Sequence, residues 1–430
     1  GGRGGRPPPV CRRCGIEGHT AAICTSEQVL TTHAVSFAPP KVPAHREPYI
    51  DTHCHIDYMC EGARVPVWAA FKSQHAIAPT CAGVICTFCD TTALLSSFSQ
   101  LDDLIVNHPD VYFTAGLHPH NSRYYNERVE GRLVELVTHP RCVGWGEIGL
   151  DVTSEKKGGS AEAEQAQCFL RQLELAAAVC PGKPVQIHYR GNDTKALEAL
   201  LETAAPETKL HLHSWGVPDV AGTKRLLAKF SNAFFGWTSV AETAKMRAVV
   251  AAVPLERLIL ETDGPYLLPK ALRPPKGAAL PPPNHPGNIP FIAAAVADVK
   301  GVSIDRVLSH ARRNTLALYS LLIEKAPANG GGGGGPWTLR RLEGAELDAA
   351  LASTVKGSTT AGTPSPPRAT STSSAVAASS AGNTNDASAA NQETASASPQ
   401  RTKASMAAAA AADDDDASDD DENVTYVFED

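Results

Sequence analysis

The chain has 430 residues, 43% of them hydrophobic, and 11 cysteines. That length suits two domains or one large one, and no apolar run approaches the about 18 uncharged residues of a membrane-spanning helix. The net charge of −7 is local: ten acidic groups against Arg401 and Lys403 in residues 401–430 leave everything before them close to neutral.

An odd number of cysteines, scattered among apolar stretches, argues against a secreted disulfide framework and for a reducing compartment, nucleus or cytoplasm. Residues 1–9 (GGRGGRPPP) read as a flexible basic leader. Residues 10–25 hold Cys11-x2-Cys14-x4-His19-x4-Cys24, the spacing of a CCHC zinc knuckle, with Gly15 and Gly18 at its tight turn. Four such ligands within fourteen residues predict a closed structural Zn²⁺ site that folds the segment. Knuckles of this kind grip unpaired bases of single-stranded nucleic acid. Arg3, Arg6, Arg12 and Arg13 add charge for phosphates, and Ile16 and Ile23 offer apolar contact to bases. A protein-binding or purely structural knuckle is the alternative.

A Pro-containing linker, 26–47, leads into a patterned body at 48–325. Eight β-rich runs follow in order: Tyr49–His53, Gly83–Phe88, Val111–Leu117, Val143–Leu150, Val185–Tyr189, Lys209–Ser214, Ala233–Thr238 and Leu258–Asp263. Helix-like segments separate them, such as 164–179, where Phe169, Leu170, Leu173, Ala176 and Ala177 are expected on one apolar face. Eight strands alternating with helices predict an α/β chain folded as a TIM-like (β/α)8 barrel. A doubly wound sheet would want a glycine-rich phosphate loop after its first strand, and none is present.

The strand ends carry the chemistry. The first ends in Asp51-Thr-His53-Cys-His55, the fourth in Gly146-Glu147-Ile-Gly149-Leu-Asp151, the fifth in His188-Tyr-Arg190, the sixth in His211-Leu-His213-Ser-Trp215 and the eighth in Glu261-Thr-Asp263. In a barrel the carboxyl ends of all strands converge on one face. His53 and His55, two residues apart, point to the same side. Imidazoles and carboxylates in such a set predict a site for two divalent cations, Mg²⁺, Mn²⁺ or Zn²⁺. One ion is expected on His53, His55 and Asp263, the other on His188 and His213, with Glu147 bridging and Asp263 also serving as general base. His118 and His120 are expected to contact substrate or to stand behind the ligands, Arg190 to contact it as a phosphate clamp and Trp215 as an aromatic platform. His211, one layer deeper than His213, reads as barrel filling or as a group standing behind the ligands, and Cys54, Cys86 and Cys89 as small buried side chains rather than metal ligands.

From Ala326 the composition changes to poly-Gly, then Ser/Thr/Ala/Pro-rich sequence and the acidic block. Such a segment cannot bury enough apolar surface to offset its ordering entropy, so 326–430 is expected to be a disordered tail, with a short helix near Leu339 to Leu351. The acidic block could compete with nucleic acid for the basic knuckle.

The motifs IDTHCHID, GLHPHN, GEIGLD, KPVQIHYR, LHLHSWG and LILETDGPYLLP, in this order, followed by HPGNIP and the Asn314-containing ARRNTLALYSLL, resemble the TatD family of metal-dependent deoxyribonucleases. The resemblance covers about 48–323. It implies a barrel hydrolase that removes nucleotides from DNA or RNA, or nicks them, using Mg²⁺, Mn²⁺ or a similar ion. It carries metal ligation onto His53, His55, Glu147, His188, His213 and Asp263. Two departures stand out: Trp215 where an aromatic Phe is common, and a long Pro-rich stretch, KALRPPKGAALPPP, after Pro269. DNA or RNA, single-stranded or at its ends, is the expected partner, with no membrane and a monomeric chain. The rival readings are an amidohydrolase-type small-ester or phosphoester hydrolase, against which the strand-four Glu in place of a bridging Lys argues, and a nucleic-acid-binding protein with a dead barrel.

Overall fold

The computed structural model describes residues 38–346 apart from 76, 96–98, 203, 276–282, 326–336 and 343. The knuckle residues Cys11, Cys14, His19 and Cys24, the leader, most of the linker and the tail beyond 346 lie outside the described residues.

Strands β1 (Tyr49–Cys54), β2 (Cys81–Phe88), β3 (Val111–Ala115), β4 (Cys142–Asp151), β5 (Val185–Arg190), β6 (Leu210–His213), β7 (Ala233–Trp237) and β8 (Leu258–Leu260) form one parallel sheet in chain order. A parallel bridge between Cys54 and Gly264 brings the last strand back to the first. There the His55 N–H donates to the Gly264 carbonyl at 2.7 Å, and the Asp263 N–H to the His53 carbonyl at 2.9 Å. The eight runs expected from the sequence therefore are the eight strands of a TIM-like barrel. Their near-continuous apolar character follows from helices covering the outside, which leaves each strand buried on both faces. Four are shorter than expected: β6 by one residue at each end, β7 by one, β3 by two and β8 by three. β8 stops at Leu260, because Asp263 turns to φ 54° and leaves the extended region, and Pro265 has no N–H to pair. β3 stops at Ala115, before the chain turns at Pro119.

The helix expected at 164–179 spans Glu162–Val179, but its inward seam is Gln165, Cys168, Phe169, Gln172 and Ala176. Leu170 points outward and is 38% exposed. The seam is partly polar because Gln172 has work inside: its Oε1 accepts from the Leu117 N–H at 2.8 Å and its amide donates to the Leu117 carbonyl at 3.2 Å. Apolar spacing alone rotated the predicted face.

The low-complexity tail does not begin at Ala326 throughout. Trp337–Arg341 forms a strand, β10, antiparallel to β9 (Leu321–Lys325), with Leu339 opposite Ile323. Leu339 is therefore in a strand rather than in the expected short helix. Its side chain is buried with Ile50, Ala82, Ile85, Tyr112, Val143 and Ile259 at the amino-terminal floor of the barrel. Nearby, the Asn314 amide donates to the carbonyls of Leu255 and Leu258 at 2.8 and 2.6 Å, fastening helix Ile304–Tyr319 to β8. All eight cysteines among the described residues are free thiols. No described helix is long and apolar enough to cross a membrane.

Candidate active site at the carboxyl ends of the strands

The alternation of β1 delivers His53 and His55 to the barrel mouth with their Nε2 atoms 3.1 Å apart. Each ring is held from behind. His55 Nδ1 lies 3.1 Å from the Thr87 carbonyl, which can only accept, so this nitrogen carries the proton. His53 Nδ1 lies 3.3 Å from the Thr87 hydroxyl. Asp263 Oδ1 stands 3.5 and 3.4 Å from the two Nε2 atoms, and Glu147 Oε2 stands 3.5 Å from His53 Nε2. Ligand atoms about 2.0–2.2 Å from a first-row cation or Mg²⁺ sit about 3.0–3.4 Å from one another. The spacing and the donor set, imidazole nitrogens with carboxylate oxygens, fit such an ion.

Glu147 turns its other oxygen to a second group. Oε1 lies 2.5 Å from His188 Nδ1, 3.5 Å from His213 Nε2 and 3.8 Å from His118 Nε2. His118, Glu147 and His188 cluster closely enough to hold an ion themselves, so His118 is nearer the ligand set than its expected substrate-contact role. Farther out, Asp151 Oδ2 meets His120 Nε2 at 2.9 Å, His188 Nε2 at 3.5 Å and Arg190 Nη1 at 3.7 Å. Half of the Arg190 side chain is exposed, which leaves its guanidinium open to solvent beside the cluster.

Electrostatics sort these groups. Burial, then the neighbouring His213, lowers the His53 imidazole to about 4, so it is neutral and its lone pair is available. His213 is buried as well, but Glu261, Glu147 and Asp263 together outweigh the desolvation and raise it to about 10. Burial works against ionising Glu147 and Asp263. The surrounding histidines, His213 first, nonetheless hold both carboxyls well below the usual range. Both carboxylates are thus kept anionic in a nearly dry mouth, where they attract cations strongly.

The structure brings together His53, His55, Glu147, His188, His213 and Asp263, with His118, His120 and Arg190 at the edge. Trp215 is the exception. It is fully buried, stacks near Tyr189 with centroids 6.3 Å apart, and donates its indole N–H to the Thr223 hydroxyl at 3.1 Å. It lies one residue past the turn at Ser214, where φ is 40°, so its ring goes into the helical layer and cannot be a platform for substrate. Tyr58 and Tyr266 are the rings at the mouth: both are partly buried, at 5.4 and 6.0 Å from the His55 ring and 6.3 Å from each other. Glu261 and Asp151 were passed over in the sequence. The signal was present, since each shares the two-residue alternation of an assigned ligand, Glu261 with Asp263 and Asp151 with Glu147. His211 lies fully buried within the barrel, with Nε2 2.6 Å from Glu261 Oε2.

A (β/α)8 barrel whose mouth gathers histidines around two carboxylates defines a barrel with a candidate metal centre at the carboxyl ends of its strands. The family model described as "TatD related DNase" matches residues 50–320, and the chain belongs to the TatD family. Over 299 residues it is 33% identical to a human protein named "3′-5′ RNA nuclease TATDN2", an alignment covering 67% of this chain and 38% of the human one. The chain therefore spans well under half the length of that relative. A protein of Edwardsiella piscicida named "3′-5′ ssDNA/RNA exonuclease TatD" is 34% identical over 208 residues, covering 47% of this chain and 76% of the relative. The crystal structure of YJJV, a TatD homologue from Escherichia coli, superposes with a TM-score of 0.52 at 23% identity, over 63% of this chain and 97% of that one, and supports the fold.

Proposed function

We propose that the protein is a divalent-cation-dependent nuclease that removes nucleotides from the 3′ ends of single-stranded DNA or RNA. The observation that carries the reading is the division of Glu147, with Oε2 beside His53 and Oε1 beside His188, His213 and His118. A carboxylate so placed would be shared by two cations, one held by His53, His55 and Asp263 and one by His188 with His213 or His118. Two bound cations supply an acidified water and neutralise charge building on the phosphoryl oxygens. Asp263 Oδ2, 3.9 Å from His213, takes the proton of the attacking water. Arg190 and His120 bind non-bridging phosphate oxygens, Asp151 steadying both. Tyr58 and Tyr266 offer ring surface to the terminal base, the role expected of Trp215. The names of the human and bacterial relatives favour a 3′-to-5′ direction and single strands.

The knuckle belongs to the same reading: a Zn²⁺ held by Cys11, Cys14, His19 and Cys24 would fold a second grip on the strand and favour polynucleotide over small esters. The test is cleavage of 5′-labelled single-stranded DNA and RNA with Mg²⁺ or Mn²⁺, with and without EDTA. A ladder shortening from the 3′ end, abolished by EDTA and by Glu147→Ala or Asp263→Asn, supports the proposal. Tight binding without cleavage, or turnover of small esters alone, refutes it.

A further inference from the structure

Behind the mouth lies a buried hydrogen-bond chain that the proposed chemistry does not use. The Tyr319 hydroxyl is 2.6 Å from His211 Nδ1, and His211 Nε2 is 2.6 Å from Glu261 Oε2. The other oxygen of Glu261, Oε1, accepts from the Ser214 N–H and stands 3.1 Å from His213 Nδ1. Glu261, His211 and Tyr319 are at most 2% exposed. A methyl group on Gly236 would sit 2.3 Å from Glu261 Oε1, so β7 is bare there to admit the carboxylate.

Glu261 lies close enough to His53 and His213 to be read as a ligand itself. Its oxygens are already occupied. Oε2 takes His211 and has the Thr52 hydroxyl 3.4 Å away, while Oε1 takes Ser214 and faces His213. An ionised carboxylate only accepts, so its partner His211 Nε2 must carry a hydrogen, while His213 Nδ1 stands 3.1 Å from Oε1 without completing a hydrogen bond. His211 Nδ1 is then an acceptor, and two donors reach it: the Tyr319 hydroxyl and the Gln186 amide at 3.1 Å. The Gln186 amide is oriented in turn, because its Oε1 accepts from the Thr87 and Thr114 hydroxyls at 3.0 and 3.1 Å. The links from Tyr319 and Gln186 through His211 to Glu261 each have one direction. At the end of the chain His213 presents Nε2 between Glu147 and Asp263, the nitrogen that would give its lone pair to a cation on losing its proton.

We propose that Glu261 is a positioning residue, the end of a Tyr319–His211–Glu261 chain that fixes the tautomer and ring angle of His213 for cation binding. The inference rests on the two-cation reading given above. A carboxylate behind a ligand histidine raises its basicity and sets its orientation, and losing such a partner typically weakens metal affinity about 10–100-fold.

The experiment is Mn²⁺ titration of the full chain, followed by the electron-paramagnetic signal of free Mn²⁺. Glu261→Gln keeps the shape and removes the charge; it is expected to bind Mn²⁺ about 10–100-fold more weakly with the wild-type number of ions. His211→Leu, which strips Oε2 of its N–H partner, is expected to weaken binding as well, and His211→Gln, which restores a donor, to recover most of it. A structural role alone would not produce that rescue. Wild-type affinity in Glu261→Gln overturns the inference, and so does the loss of one ion from the stoichiometry, which would make Glu261 a ligand. Should Glu261→Gln fail to fold, equal affinity of His211→Leu and His211→Gln overturns it. If the wild-type chain binds no Mn²⁺, the two-cation reading falls instead.

Discussion

The strand Trp337–Arg341 lies in sequence that composition assigns to a tail, and its weight in the fold can be measured at one side chain. Leu339 is 4% exposed and sits directly over Gly83, where a Cβ would come within 2.1 Å of its Cδ1. Leu339→Ala removes three carbons from a floor that β1, β2, β3, β4 and β8 all help to line. Large-to-small changes at such sites cost about 2–5 kcal/mol, and we expect about 3 kcal/mol. For a domain of this size that corresponds to a fall of about 6–12 °C in Tm. Urea and thermal unfolding of the purified chain measure it, with Leu170→Ala on the exposed helix face as a control expected to change stability by less than about 0.5 kcal/mol. A chain ended after Lys325 should be destabilised at least as much as Leu339→Ala, and one ended after Glu346 far less. If Leu339→Ala is indistinguishable from the wild type, β10 does not seal the barrel floor and this account of it is wrong.

Other outcomes follow from the same geometry. Trp215→Ala should cost about 3–5 kcal/mol of stability, as expected of a buried indole, whereas Tyr266→Leu should leave stability nearly unchanged and raise KM for single-stranded substrate; a reversal of those two effects would restore Trp215 to the mouth. Gly236→Ala drives a methyl into the Glu261 carboxylate and should destabilise the fold by about 1–3 kcal/mol while lowering Mn²⁺ affinity, both read on the same sample. His285, lowered to about 4 by burial and by His75, contributes a pH limb. Its folded form resists protonation, so stability is complete above about pH 6.5 and falls between there and about 4 as the unfolded chain takes up the proton. His285→Gln should flatten that limb by about 2 kcal/mol in urea melts at pH 4.5 compared with pH 7.5, and an unchanged slope would count against it.

Several features of this protein were already written in its primary structure. Eight apolar runs at β spacing, each followed by a helical stretch, admit few architectures other than a closed parallel barrel, since parallel strands need crossovers and crossovers bury both faces of the sheet. His53, His55, Glu147, His188, His213 and Asp263 could be picked out because a strand's two-residue period and the polarity of a barrel together decide which end and which side a residue occupies. Residues whose environment depends on other segments could not be read that way. Trp215 and Tyr266 both follow ligand-bearing strand ends, and only the backbone turns at Ser214 and Asp263 decide that one ring enters the helical layer and the other the mouth. Leu339 looks like tail until Gly83 supplies the hollow that takes it. Glu261 is one acid among many until His211, His213 and Ser214 are seen to converge on it from another strand. Local periodicity places a side chain on a face; what that face meets is decided by chain far away in sequence, and here that distinction separates the proposed ligands from the groups proposed to hold them in place.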